Sequence, residues 1–221
     1  MTTTMTRSAP IIWVEGVIAA GKSSFAREIA KRLEFEFIEE PVDNNYYLEP
    51  FYKDPPKYAF GMQMFLLHYR YAMKQKASYA AMIGDCKGVI LDRSIAGDRV
   101  FAKLHHDAGN INQLDWRCYN YAYEVMARTI QPPTLFLYLD VQAETALSRM
   151  KKRSRNAESA VPIAYLQELK DGYEQLIKEL KTGLAPWAHS IEVERIIWDT
   201  DTVTDEAWNG VAATINDICR R

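Results

Sequence analysis

The sequence predicts an α/β fold in which a five-stranded parallel sheet carries helices on both faces. Three observations predict it. Five short β-like runs occur, at residues 11–15, 35–39, 88–92, 134–140 and 195–199. Helical stretches lie around them, notably at 23–33, 58–83, 115–130, 142–152 and 162–180. A glycine loop joins the first run to the first helix. Strands alternating with helices pair in parallel, since each crossover helix brings the chain back to the same end of the sheet.

The first run, Ile11-Ile12-Trp13-Val14-Glu15, leads into Gly16-Val17-Ile18-Ala19-Ala20-Gly21-Lys22-Ser23-Ser24, and residues 25–33 continue as a helix. Strand, GxxxxGK[ST] loop and helix in that order form a phosphate-binding loop for a nucleoside triphosphate. Its backbone N–H groups at Gly16, Ala19, Ala20, Gly21 and Ser24, with the helix N-terminus, suit the phosphates. Lys22 suits the β- and γ-phosphates of ATP, and the Ser23 hydroxyl suits Mg²⁺.

The second run ends Glu39-Glu40-Pro41-Val42. Pro41 cannot extend a central ladder, so the chain leaves the sheet there with an acid at the rim. A carboxylate in hydrogen-bond reach of a hydroxyl acceptor can take its proton during attack. Glu39 and Glu40 both qualify on pattern. The third run ends Asp92-Arg93-Ser94, which puts an acid suited to Mg²⁺ beside the phosphate loop and an arginine next to it. All five runs finish on or near a carboxylate, and ligands of open parallel sheets bind beyond the strands' carboxyl ends. Asp140 and Asp199 serve equally as strand terminators or helix caps.

The long helical stretch 58–83 places Gln63 and Arg70, seven residues apart, on one face with Leu66 and Leu67 between them. An amide on such a face suits a base edge, and Asp98 is positioned to neutralise Arg70. After the fourth run and its helix comes a basic segment, Arg149 to Arg155, placed where a mobile lid would close over ATP.

With 221 residues and a net charge of −2, the chain is expected to form one domain over 1–221, with the lid at about 149–160 and no broad nucleic-acid surface. Three widely spaced cysteines argue against a disulfide framework. No apolar run reaches membrane-spanning length, and residues 1–10 lack a signal-like stretch, so the expectation is a cytoplasmic protein without a membrane partner.

With these residues in place, the chain resembles the deoxyribonucleoside kinase family, in particular its purine-preferring bacterial deoxyadenosine and deoxyguanosine kinases, over about residues 11–201. The carrying motifs are the phosphate loop, Glu40-Pro41-Val42, Phe51-Tyr52-Lys53-Asp54-Pro55, Gln63, Asp92-Arg93-Ser94 and the lid through Glu158 to Pro162. The resemblance implies a P-loop kinase fold and 5′-phosphorylation of dA or dG, with dC as a further acceptor. It implies Glu40 as general base with Arg93 assisting, and Tyr52 with Glu158 on the 3′-hydroxyl. Gln63 would meet the base, Arg70 and Asp98 would lie beneath it, and Arg149, Arg153 and Arg155 would act from the lid. It further implies Mg-ATP and a homodimer joined through helices. Where several relatives carry a tryptophan after Glu-Pro-Val, this chain has Asn44-Asn45-Tyr46, so its pocket wall differs. The competing reading is a nucleoside monophosphate kinase of the thymidylate-kinase type, which shares the phosphate loop and the Asp-Arg pair.

Overall fold

The computed structural model describes residues 8–40, 45–83, 86–153, 161–184, 186–187 and 189–221. In chain order its elements are β1 (Ile11–Glu15), α1 (Lys22–Leu33), β2 (Glu36–Ile38), α2 (Leu48–Lys53), α3 (Pro55–Ile83), β3 (Val89–Asp92), α4 (Ile95–Asp107), α5 (Gln113–Arg128), β4 (Leu135–Asp140), α6 (Ala143–Arg153), α7 (Ile163–Thr182), β5 (Val193–Ile197) and α8 (Asp205–Arg220). The strands form one sheet in the order β2-β3-β1-β4-β5, and every pairing is parallel. Helices cover both faces, which is why β1 and β3 are buried along their whole length and read as continuous apolar runs.

Boundaries moved where local chemistry overruled pattern. The fifth strand lies two residues earlier than the 195–199 expected, because its partner β4 ends at Asp140, which pairs with Ile197. The Trp198 amide closes the ladder on the Asp140 carbonyl at 2.8 Å, and Asp199 lies beyond it. Helix α3 starts at Pro55 rather than 58. Proline is tolerated in a first helical turn, and Asp54 Oδ1 accepts the Lys57 amide at 3.3 Å. Helices α2, α4 and α8 add to the stretches read from sequence. Helices α4 and α8 begin on side-chain caps, with Ser94 accepting from the Gly97 amide and Thr204 from that of Ala207.

A lysine away from the cleft also breaks the apolar pattern of the interior. Lys74 of α3 is 1% exposed, and its Nζ lies 4.8 Å from the Trp13 ring centroid with no hydrogen-bond partner among the described residues. Burial lowers its pKa from 10.5 to about 7. The unfolded chain keeps that proton up to 10.5, so Lys74 weakens the fold in full below about pH 7, and the effect fades as pH rises towards 10.5. Lys74→Met should therefore raise stability at pH 7 by on the order of 1–3 kcal/mol. It should also flatten the rise in stability from pH 7 to 9 in urea unfolding.

Candidate active site

The carboxyl ends of β1, β2 and β3, with α3, α4 and the start of α7, enclose one cleft. It is lined by Lys22, Ser23, Glu40, Gln63, Arg70, Asp92, Arg93 and Arg153, and by Tyr52, Phe101, His105 and Tyr165.

At the donor end the loop backbone takes the conformation that phosphate cradles require. Gly21 has φ 91° and Ala19 φ 59°, and a Cβ on Gly16 would press on the Leu139 carbonyl at 2.8 Å. Lys22 Nζ folds back to donate to the carbonyls of Val17 at 2.7 Å and Gly16 at 3.1 Å. Burial, with Arg93 adding to it, lowers Lys22 to about 7. The Ser23 hydroxyl donates to Asp92 Oδ2. Asp92 Oδ1 is buried with no hydrogen-bond partner among the described residues, and burial raises the pKa of this carboxyl. A hydroxyl and a carboxylate with a spare oxygen form an oxygen-only donor set that fits Mg²⁺.

At the acceptor end three carboxylates and two arginines are packed together. Arg70 donates through Nε and Nη2 to Glu40 Oε1 at 3.0 and 2.7 Å, and through Nη1 to Asp98 Oδ1. Arg93 Nε lies 3.2 Å from Glu40 Oε2, and its Nη1 lies 3.7 Å from Glu15 Oε2. The Phe101 ring lies 4.8 Å from the Arg93 guanidinium. Burial opposes ionisation of Glu40, but Arg70 and Arg93 outweigh it and hold the carboxyl below its ordinary value. Glu39 is elsewhere: its side chain is 52% exposed and pairs with Arg27 at 2.6 Å on the surface, whereas that of Glu40 is 13% exposed.

Arg93 itself has φ 74°, in the left-handed region, which costs a residue with a Cβ about 1–2 kcal/mol. Its neighbours fix it there. The Arg93 amide donates to the Val14 carbonyl at 3.0 Å, and Glu15 Oε1 accepts both the Ser94 amide at 2.6 Å and its hydroxyl at 2.7 Å. Tyr173 of α7 donates to Glu15 Oε2 at 2.7 Å. Any Cβ at Gly97 would collide with this Glu15 carboxylate.

Gln63 is 1% exposed, and its Oε1 has no hydrogen-bond partner among the described residues, so the cleft holds an uncommitted acceptor on the α3 face. Asp98 does not line the cleft. It lies behind Arg70, with its second oxygen taking the Tyr119 hydroxyl at 2.5 Å, and burial raises it to about 6. Asn45 lines the wall, while Tyr46 is largely exposed and packs edge-on to Phe65.

Of the lid residues, Arg149 donates to the Ala20 carbonyl at 3.2 Å and to Asp201 at 2.9 Å, which ties α6 to the phosphate loop. Arg153 reaches the cleft. Arg155 and Glu158 lie outside the described residues, as do Pro41, Val42 and Asn44. Asp140 pairs with Lys170 and Arg195, and Asp199 accepts the Gln142 amide, so both follow the structural alternative. Sequence reading did not single out Tyr119, Tyr173, His105 or Tyr165. Each sits on a helix where an aromatic residue reads as core, and only the fold brings its polar tip to the site.

Comparison with known proteins agrees with this geometry. Residues 12–220 match the family model described as deoxynucleoside kinase. A deoxyadenosine kinase of Dictyostelium discoideum is 34% identical over 187 residues, 85% of this chain and 71% of that protein. The deoxyadenosine/deoxycytidine kinase of Bacillus subtilis is 35% identical over 170 residues, 76% of each chain. The solved structure of a deoxyadenosine kinase from M. mycoides with bound dCTP superimposes with a TM-score of 0.77 at 28% identity, covering 94% of this chain and 99% of that one.

Proposed function

We propose, because the chain belongs to the deoxynucleoside kinase family, that it moves the γ-phosphoryl group of ATP to the 5′-hydroxyl of dA or dG, with dC as a further acceptor. The observation that carries this reading is the pairing of both acceptor-end arginines with carboxylates. Arg70 and Arg93 each contact Glu40, so neither is an uncommitted cation awaiting an acceptor phosphate. A neutral sugar hydroxyl fits such a site, and a nucleoside monophosphate fits it poorly. That argument also disfavours the thymidylate-kinase type of reaction.

The proposed roles rest on this geometry and, for Tyr52, Glu158 and the lid, on the family resemblance. Glu40 Oε1 is held by Arg70, while Oε2 meets Arg93 and keeps a lone pair for the 5′-hydroxyl proton. A carboxylate held below its ordinary pKa is ionised at every working pH, though it is a weak base. Phosphoryl transfer through a loose transition state asks little more, because the hydroxyl needs its proton removed only late. Arg93 orients Glu40 and faces the developing charge. Lys22 exchanges its carbonyl partners for phosphate oxygens, and the loop amides hold the remaining oxygens. Ser23 and Asp92 would hold Mg²⁺, which when bound neutralises phosphate charge. Gln63 Oε1 accepts from the exocyclic amine of adenine or cytosine, and Asp98 acts on the base through Arg70. Tyr52, with Glu158, holds the 3′-hydroxyl, and Arg149, Arg153 and Arg155 serve the lid in a single domain over 1–221.

A homodimer fits the apolar side chains left exposed on α3 (Tyr79, Met82, Ile83) and on its packing neighbour α5 (Leu114, Tyr121, Val125). We place the protein in the cytoplasm on its three unpaired cysteines. The deciding experiment is ADP release with the four deoxynucleosides, dAMP and dTMP as acceptors, with ATP and Mg²⁺. Turnover should be highest with deoxyadenosine or deoxyguanosine. Turnover of monophosphates alone would overturn the reading.

A further inference from the structure

His105 is a histidine at the edge of the cleft for which the roles above have no use. It sits on the same face of α4 as Asp98 and Phe101, at spacings of seven and four, and so is turned towards the acceptor end. Phe51 packs edge-on to its ring with centroids 5.0 Å apart, and Tyr165, at the start of α7, stacks on it at 6.0 Å. The Asn110 and Ile111 amides both close on the His105 carbonyl, at 2.8 and 3.0 Å, so the backbone beneath the ring is fixed as well. The imidazole is 6% exposed, and burial lowers its pKa to about 4, so it is neutral at working pH.

A neutral imidazole carries one N–H, and its neighbours decide which nitrogen holds it. Asn110 Nδ2, a donor, lies 3.4 Å from Nδ1. Nδ1 is therefore the acceptor, and the proton sits on Nε2. Nε2 lies 3.5 Å from the Tyr165 hydroxyl, which consequently accepts from it. A phenol that accepts from behind keeps its own proton for the cleft. Tyr165 lines the same cleft as Tyr52, the residue read above as holding the 3′-hydroxyl, and as Arg93, which favours the sugar over the base.

We propose that Asn110, His105 and Tyr165 form a relay that turns the Tyr165 proton into the cleft, so that Tyr165 reads the 3′-hydroxyl of the deoxyribose and His105 acts as its positioning residue. The inference rests on the acceptor reading above. Both the hydroxyl oxygen it requires and the surrounding apolar ring faces favour a sugar edge over an anion.

The test compares kcat/KM for deoxyadenosine with that for 2′,3′-dideoxyadenosine, which lacks only the oxygen in question. His105→Leu should lower the ratio of the two about tenfold, as expected for one lost hydrogen bond in a buried site. KM for ATP should not change. His105→Gln, whose amide N–H replaces Nε2–H, should restore most of the ratio. Tyr165→Phe should lower it as far as His105→Leu, and the double variant no further. An equal loss on both substrates, or failure of glutamine to restore the ratio, would overturn the relay. If the leucine variant does not fold, the glutamine and Tyr165→Phe variants read the same ratio. A wild-type chain that turns over no deoxynucleoside overturns the acceptor reading and the relay together, whereas normal wild-type turnover with an unmoved ratio removes the relay alone.

Discussion

Glu40→Gln is expected to lower kcat by roughly 10²-fold or more, with KM for ATP little changed, in a coupled ADP-release assay. Glutamine keeps the shape, but its amide is too weakly basic to take the hydroxyl proton, and it places a neutral group between two buried guanidinium ions. The matching change at the neighbouring position separates chemistry from proximity. Glu39 pairs with Arg27 at the surface, so Glu39→Gln should leave turnover within about twofold, as for an exposed ion pair. Near-normal turnover of the Glu40 variant would remove the base role from that residue. Melting curves on both variants guard against the trivial explanation, since a loss of fold would appear there first.

Arg70→Met is expected to destabilise the fold by about 3–5 kcal/mol, the usual effect of removing one partner from a buried ion pair. Arg70 bridges Glu40 and Asp98, and Asp98 is fully buried with, among the described residues, Tyr119 left to hold its side chain. The sign with pH follows. Asp98 already sits near 6 in the native chain against 3.8 ordinarily, and loss of Arg70 moves it further up. The native state then binds a proton that the unfolded chain releases, so the deficit should shrink as the pH falls from 7 to 5. Urea unfolding at the two pH values measures this, and Arg70→Met with Asp98→Leu should recover part of the loss. A deficit independent of pH would mean that Asp98 is not the orphaned charge.

Much of this architecture is legible in the residues themselves. Alternation of short apolar runs and helical stretches yields the parallel sheet, and the glycine loop between the first run and α1 yields the donor end, because both are local patterns. Gln63, Arg70 and Arg93 are also readable, being positioned by strand ends and helical spacing, whereas pattern left Glu39 and Glu40 open and the family resemblance chose between them. What escaped reading depends on pieces distant in sequence. The fifth strand was displaced by two residues because its end is set by β4, 55 residues away at the Arg195–Asp140 pair. Glu15 read as a strand-end acid, yet its work is to anchor Ser94 across to β3, and Tyr173 reaches it over 158 residues. Asp98 was expected in the pocket but stands behind Arg70, because Tyr119 of α5 draws its free oxygen away from the cleft.

The strand order has one more consequence. With β1 in the middle of the sheet, the glycine loop hangs from the central strand, whereas much of the acceptor end of the cleft is lined by side chains of α3 and α4, outside it. The two tasks share Arg93 and Lys22 at their junction and little else. A lineage can therefore explore new bases by exchanging a few helical side chains such as Gln63, while the energy-donating machinery stays untouched. Such a layout makes diversification of acceptors mutationally cheap and diversification of donors mutationally difficult.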